Sequence, residues 1–488
     1  MRYRVIMNIV GKILLLVALT MVFPLIVSVI YKEPAINKLS FLLTMIILAA
    51  IGVLCNILKP KEVKMRARDG FVVVSISWII MSALGCLPFV ISGDIPNYFD
   101  ALFEMTSGFT TTGASIVTDI TRLAPSMLFW RAFSHWLGGM GVLVLILAFI
   151  PESSDGSTVH ILRAESTGPQ VGKLVSKMRL SSRILYLIYG VLTFVEFIML
   201  LLGPDKTIGV FESLVLALST AGTGGFAVLG DSIASYSPYT QYVIGTFMYL
   251  FGINFTLYFL IIIGKAKYVL KSEEIKWYFA IIIIAIAIIT CTTYDFYGNF
   301  EETFRHAYFQ VGAIISTTGF STTDFVASWS PVALWVLVLL MFVGGMAGST
   351  SGGLKVSRIG ILIKNAIHKI KKMINPRRAE VVKFEDSILE DEVVESVQNM
   401  FILYMLIIGL GVIVISVLNK QTDILTNATA VLSCLSNVGP GLGKVGSLGD
   451  FSFYSNFSKV IFSLLMIAGR LEIFPLLILF SKTTWKKY

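Results

Sequence analysis

Charge is what this chain has least of. Only 14% of its 488 residues are Asp, Glu, Lys or Arg, while 56% are hydrophobic. A soluble domain carries roughly 25% charged residues, so a soluble globular class is excluded and an integral membrane protein is expected. Cysteine is also sparse. Cys55, Cys86, Cys291 and Cys434 stand singly, with no CxxC and no Cys/His pair at metal-ligand spacing, which speaks against a disulfide framework or a zinc site. The four histidines (His135, His160, His306, His368) are equally scattered, and no Ser/His/Asp arrangement is legible. A P-loop and a dinucleotide-binding βαβ stretch are lacking too, so any nucleotide sensing would have to come from another chain. The net charge of +9 is not a nucleic-acid footprint, because the basic residues sit in short loops between apolar spans.

Apolar length is what the chain has in abundance. A membrane span needs about 20 apolar residues. The start, residues 1–31, has a basic end like a signal peptide, but its apolar run is too long and lacks a small-x-small cleavage site. It reads as a retained first helix, near 8–31, followed by a second near 39–58. Long spans follow in pairs: 70–92 and 125–150, 180–203 and 238–264, 276–294 and 331–363, 395–418 and 455–481. Between the members of each pair lies a shorter apolar segment, ending at TTTGAS, GTGGFA, STTGFS and SNVGPG respectively.

These four endings align on Gly113, Gly225, Gly319 and Gly439, with Phe103, Val215, Phe309 and Thr429 ten residues earlier. Ten residues make about three helical turns, roughly 15 Å, enough to enter a bilayer without crossing it. The expected fold is an all-α polytopic membrane protein: two N-terminal helices (1–68), then four fused helix–pore loop–helix repeats at 69–170, 171–272, 273–385 and 386–488. Segments 59–68, Lys173–Arg183, 265–271, Lys364–Arg378 and 481–488 are basic and fall on one side by alternation. The positive-inside rule makes that side cytoplasmic, with both termini there and the four loops entering from the external face.

Irregular backbone at membrane depth survives only where it is buried in protein or lines a watery path. Four such loops on one axis offer carbonyl and threonine oxygens in place of a monovalent cation's hydration shell. Glycine leaves the axis unblocked and accepts positive φ. One Gly-Thr loop alone equally describes a tight helix contact; four copies at matching offsets favour a filter.

The repeated unit resembles the Trk/Ktr/HKT superfamily of potassium transporters, and the resemblance covers essentially the whole chain. HWLGGMGVLVL (135–145), AGSTSGGLKVSRIG (347–360), AGRLEIFPLL (468–477) and the four loops carry it. The two N-terminal spans and the length favour the bacterial TrkH/TrkG type. The resemblance implies K⁺ filter positions at Thr111, Thr112, Gly113; Thr223, Gly224, Gly225; Thr317, Thr318, Gly319; and Asn437, Val438, Gly439. Two adjacent glycines leave the second register open by one, with the ten-residue offset favouring Gly225. In the fourth loop Val438 replaces threonine and Pro440 follows. Glycine in all four loops goes with potassium in the superfamily, so potassium is the implied cargo, with no organic cofactor on this chain.

Three further features acquire roles from the resemblance. The run 344–353 (Gly344, Gly345, Gly348, Ser349, Thr350, Ser351, Gly352, Gly353) interrupts the third repeat's last span, where so much glycine and serine holds a helix poorly. The family implies an intramembrane gate there, with Lys355 presenting a cation. Arg470, deep in the last span, is costly in a bilayer and needs a cavity or a partner. A structural ion pair with Glu196 is one reading; an electrostatic barrier below the filter is the other. Glu104, in the first pore helix, reads from the sequence itself as making a helical or filter-supporting hydrogen bond rather than transferring a proton. The family also implies a homodimer in an inner membrane, and a cytosolic TrkA-type NAD/ATP-binding ring for which 364–392 is a candidate docking surface. A rival without the family is an ion-coupled alternating-access carrier.

Overall fold

The computed structural model describes residues 3–57, 67–141, 178–204, 208–375 and 381–485. Residues 59–66 of the expected basic segment 59–68, residues 173–177 of Lys173–Arg183, the 142–150 part of the first repeat's last span and the proposed boundary at 170 therefore lie outside the described residues.

Among the described residues, six helices are long and apolar enough to cross a bilayer. Two are N-terminal, Tyr3–Ile30 (slightly broken at Met21) and Ala35–Ile57. They form a close hairpin because Gly11 faces Gly52: a Cβ on Gly11 would lie 2.8 Å from the Gly52 carbonyl oxygen. Small residues let helix backbones approach in this way. Asn8 Nδ2 donates to Asn56 Oδ1 at 2.9 Å across the same contact. The other four spans, Arg68–Ser92, Ser182–Leu201, Glu273–Tyr297 and Asp391–Leu418, each open one repeat.

Each opening span leads to a short helix: Tyr98–Phe109, Val210–Ala221, Phe300–Ile315 and Ile424–Ser436. Local sequence starts them. Asn97, Asn299 and Asp423 each place a side-chain oxygen on an orphan amide of the first turn. These helices are buried along most of their length, and the apolar surface they share with the spans around them forms the core.

The last spans of the first, second and fourth repeats depart from the sequence expectation. Only the third was expected to be interrupted, yet all four helices stop after 13 to 15 residues: Pro125–Gly139, Pro238–Phe251, Pro331–Val343 and Asn456–Arg470. At 1.5 Å per residue these reach about 20 Å, short of the roughly 30 Å hydrocarbon core. In the second repeat, Phe255–Ile262 continues at 90° to its predecessor. Asn254 caps the new helix by accepting from Thr256 N at 2.9 Å, and the Gly252 carbonyl accepts from Met346 N. In the fourth repeat Glu472 (φ 56°) and Ile473 (φ 67°) both have positive φ, a costly conformation for a β-branched residue, and Pro475 opens the short helix Phe474–Phe480. The N-terminal hairpin is tied to this array by Glu33, whose carboxylate caps the first closing span through Ser126 N (2.8 Å) and Ser126 Oγ (2.6 Å).

Candidate ion pathway

The four short helices end alike. Their terminal residues Thr111, Thr223, Thr317 and Asn437 are left-handed, with φ between 53° and 56°. The following amides, of Thr112, Gly224, Thr318 and Val438, then bond back to the carbonyls of Ser107, Ser219, Ala313 and Ser433. This is the six-to-one closure of a Schellman end. It turns each chain sharply away from its helix and leaves the partly negative helix terminus beside the loop.

Four glycines follow, and they form a closed ring. A Cβ on Gly113 would lie 1.9 Å from the Gly224 carbonyl oxygen; on Gly225, 1.9 Å from that of Thr318; on Gly319, 2.1 Å from that of Val438; on Gly439, 2.7 Å from that of Thr112. Each repeat thus seats its glycine against the main-chain carbonyl of the next, and the fourth returns to the first. All four glycines have positive φ. Gly225, not Gly224, holds the equivalent position, which fixes the register of the second loop. All four also line one vestibule, together with Ser115 and Arg131.

Side chains brace the loops from behind. Glu104, fully buried, accepts from Ser115 Oγ, from Ile116 N at 2.9 Å and from Arg131 Nε at 2.8 Å, and its second contact with Arg131 is 2.7 Å. Gln310 holds the matching place in the third repeat and donates to Ser321 Oγ at 2.9 Å. In the fourth, Thr429 Oγ1 accepts from Leu442 N at 2.8 Å. Asn437 donates to Thr112 Oγ1 and to the Met466 carbonyl, both at 2.9 Å, so it stitches the fourth loop to the first and to the last span. Of the two hydrogen-bonding readings of Glu104, helical or loop-supporting, its contacts with Ser115 and Ile116 fit the second; the sequence signal for Arg131 is an arginine inside an apolar span, which calls for a buried partner.

On the side away from the vestibule, the interrupted third span packs directly beneath the loops. Gly352 N donates to Thr317 Oγ1 at 2.7 Å, and a Cβ on Gly352 would lie 2.2 Å from the Ser436 carbonyl oxygen. The interruption runs from Gly344 to Lys355, with Gly345, Gly348, Ser349, Ser351 and Gly353 inside it. Its backbone is held by the Gly252 carbonyl, which accepts from Met346 N, by Phe255 N, which donates to the Gly348 carbonyl, and by Glu274, which accepts from Ala347 N at 2.8 Å. Lys355 is buried, and its ammonium folds back onto the Ser351 carbonyl.

Arg470 joins three elements at that level. Its guanidinium donates to the Thr350 carbonyl at 2.7 Å, to the carbonyls of Gly138 and Gly139 at the end of the first closing span, and to Thr111 Oγ1 at 3.4 Å. Glu196, the partner anticipated from sequence, does not accept from it: among the described residues neither of its buried carboxylate oxygens has a hydrogen-bond partner. Glu472 instead accepts both guanidinium nitrogens of Arg358, at the start of Val356–Ile374.

The comparisons with known proteins agree with this architecture. The family described as "TrkH: Cation transport protein" matches residues 37–487. The Trk system potassium uptake protein TrkH of Escherichia coli strain K12 is 33% identical over 497 residues, spanning 100% of both chains. The TrkG protein of the same strain is 31% identical over 99% of each. The crystal structure of the potassium transporter TrkH from Vibrio parahaemolyticus covers 100% of both chains with a TM-score of 0.88 at 29% identity. With a full-length match to transport proteins and the same arrangement of spans, the chain belongs to the TrkH family of cation transport proteins.

Proposed function

We propose that this chain is the membrane subunit of a potassium-uptake system and conducts K⁺ along one central path through the four-loop ring. The cyclic seating of Gly113, Gly225, Gly319 and Gly439 on neighbouring carbonyls carries this reading. It gives four repeats one shared opening, into which their carbonyl oxygens can replace ion hydration. Thr111, Thr112, Thr223, Thr317, Thr318 and Asn437 add side-chain oxygens or brace the same walls.

Residues 344–353 act as the gate in this reading, because they lie directly under the ring and are bonded to it through Thr317. Arg470 has two roles: its charge is a barrier below the filter, and its bonds to Thr350, Gly138 and Gly139 latch the gate to the first repeat. A cation held a few ångströms away meets a repulsion of order 1–4 kcal/mol at intermediate dielectric, enough to shorten its stay without blocking it.

The vestibule is external and the basic segments are cytoplasmic, in an inner membrane. The subunit works as a homodimer with a cytosolic nucleotide-binding ring of the TrkA type, docked near the segment that includes Lys364 and the small hairpin of Lys383–Phe384 and Ser387–Ile388. All four loops share one vestibule, which favours this path over the inverted repeats of an alternating-access carrier. The test is K⁺ and Na⁺ flux in proteoliposomes for the parent and Gly113→Ser. Increased Na⁺ relative to K⁺ supports the filter; an unchanged ratio refutes it.

A further inference from the structure

The second repeat lacks the side chains that its sister repeats place behind their carbonyls. In the first, Thr110 and Thr112 share a hydroxyl–hydroxyl contact of 2.8 Å; in the third, Ser316 and Thr318 share one of 2.6 Å. The corresponding second-repeat residues are Gly222 and Gly224. Backbone conformation does not require glycine at either, since neither has positive φ. Space does. A Cβ on Gly224 would lie 2.2 Å from Cγ of His135, and one on Gly222 would lie 2.4 Å from the His135 carbonyl oxygen.

His135 comes from the closing span of the first repeat and is fully buried. Its Nδ1 lies 2.8 Å from the Gly108 carbonyl, and because a carbonyl only accepts, Nδ1 carries the proton. Phe226 of the second loop lies tilted against the ring, 4.2 Å between centroids. The imidazole is therefore held by both the first pore helix and the second loop.

We infer that His135 is a specificity-determining positioning residue: its ring stands in for the missing Thr pair of the second repeat and sets the Gly224 carbonyl against Gly113. The argument rests on the filter reading above and assigns a non-loop residue to one of its four walls. A cavity left behind Gly224 would let that carbonyl retreat, and a filter with one retreating wall discriminates less well between ions of different radius. Conversely, a threonine at 224 cannot enter while the imidazole is there.

The test is a swap. Parent, His135→Ala, Gly224→Thr, the double variant His135→Ala/Gly224→Thr and Gly113→Ser are reconstituted after confirming comparable insertion and monodispersity. K⁺ and Na⁺ flux is then measured for each. Gly224→Thr alone should lower K⁺ flux roughly tenfold or more, as overpacking against a fixed ring predicts. His135→Ala should raise the Na⁺/K⁺ ratio, because a Gly224 carbonyl free to retreat discriminates less well. The double variant should restore both toward the parent, since a threonine pair-member then occupies the vacated volume. Non-rescue in the double variant, or a parental ratio in His135→Ala, overturns the inference. Gly113→Ser separates the two readings: if it shifts the ratio while the His135 variants do not, the filter stands and this inference falls; if it does not, the filter reading itself falls.

Discussion

Thr317 and Gly352 join the ring of loops to the interrupted span: the Gly352 amide donates to the Thr317 hydroxyl at 2.7 Å in a fully buried setting. A buried amide stripped of its acceptor costs about 1–3 kcal/mol, and in this position the cost falls on the closed arrangement of residues 344–353. Thr317→Val should therefore raise basal K⁺ flux in proteoliposomes lacking any cytosolic partner, by roughly tenfold for each 1.4 kcal/mol. Thr317→Ser retains the hydroxyl and should stay near the parent. Equal leak from both variants would show that the bond does not hold the gate.

Arg470 offers a way to tell a latch from a barrier. Both roles depend on charge, but only the latch needs a fork that reaches Thr350, Gly138 and Gly139 together. Lysine keeps the positive charge and presents one point donor in place of the planar fork. If the latch dominates, Arg470→Lys and Arg470→Gln should both raise flux without partner. If the barrier dominates, Arg470→Lys should resemble the parent and only Arg470→Gln should conduct faster. Current–voltage recording of the purified variants distinguishes these outcomes.

The Glu104–Arg131 pair is buried on both sides, so the variants should be non-additive. Removing one member strands a charge and costs about 3–5 kcal/mol. Arg131→Met should lower the thermal midpoint in detergent markedly, and Glu104→Gln/Arg131→Met should recover part of that loss, because the glutamine oxygen still accepts from Ser115 and Ile116 without leaving a carboxylate unpaired. A double variant less stable than Arg131→Met would contradict the ion-pair account. The Arg131 guanidinium also lies 4.0 Å over the Phe226 ring, so part of the loss remains in the double variant.

The parts of this arrangement that were readable in sequence are those where one residue type is required by backbone geometry. Gly113, Gly225, Gly319 and Gly439 recur because no other residue combines positive φ with so close a neighbour. The interruption at 344–353 was visible because glycine and serine dominate it. The breaks at Gly139, Phe251 and Arg470 were hidden by hydropathy: the residues around them are apolar, and an apolar run reads the same whether straight or bent. Their local signals were present but short, namely the glycines at 138, 139 and 141, the Gly252–Asn254 cap and Pro475 after Arg470. The partners of Arg470 were not readable at all. They are main-chain carbonyls, freed by helix ends that sequence periodicity had not revealed, whereas a sequence search can nominate only acidic side chains such as Glu196.

The ring is not uniform, and its unevenness predicts graded effects of a single substitution type. The ideal Cβ lies 1.9 Å from the facing carbonyl oxygen at Gly113 and Gly225, 2.1 Å at Gly319 and 2.7 Å at Gly439. The obstacle is main chain in every case, so relief requires the loop itself to shift. Glycine-to-serine changes should then widen or distort the path most at Gly113 and Gly225, less at Gly319 and least at Gly439. At Gly319 a second obstacle, Pro440 Cδ at 2.7 Å, narrows its difference from the first two. Gly439 also has the largest φ, 102°, so strain from the positive φ remains there even where the clash is mildest. Measuring the Na⁺/K⁺ flux ratio for all four serine variants in the same liposomes gives the ordering directly. A ratio for Gly439→Ser above that for Gly113→Ser would mean that backbone strain, rather than proximity to the neighbouring carbonyl, governs discrimination.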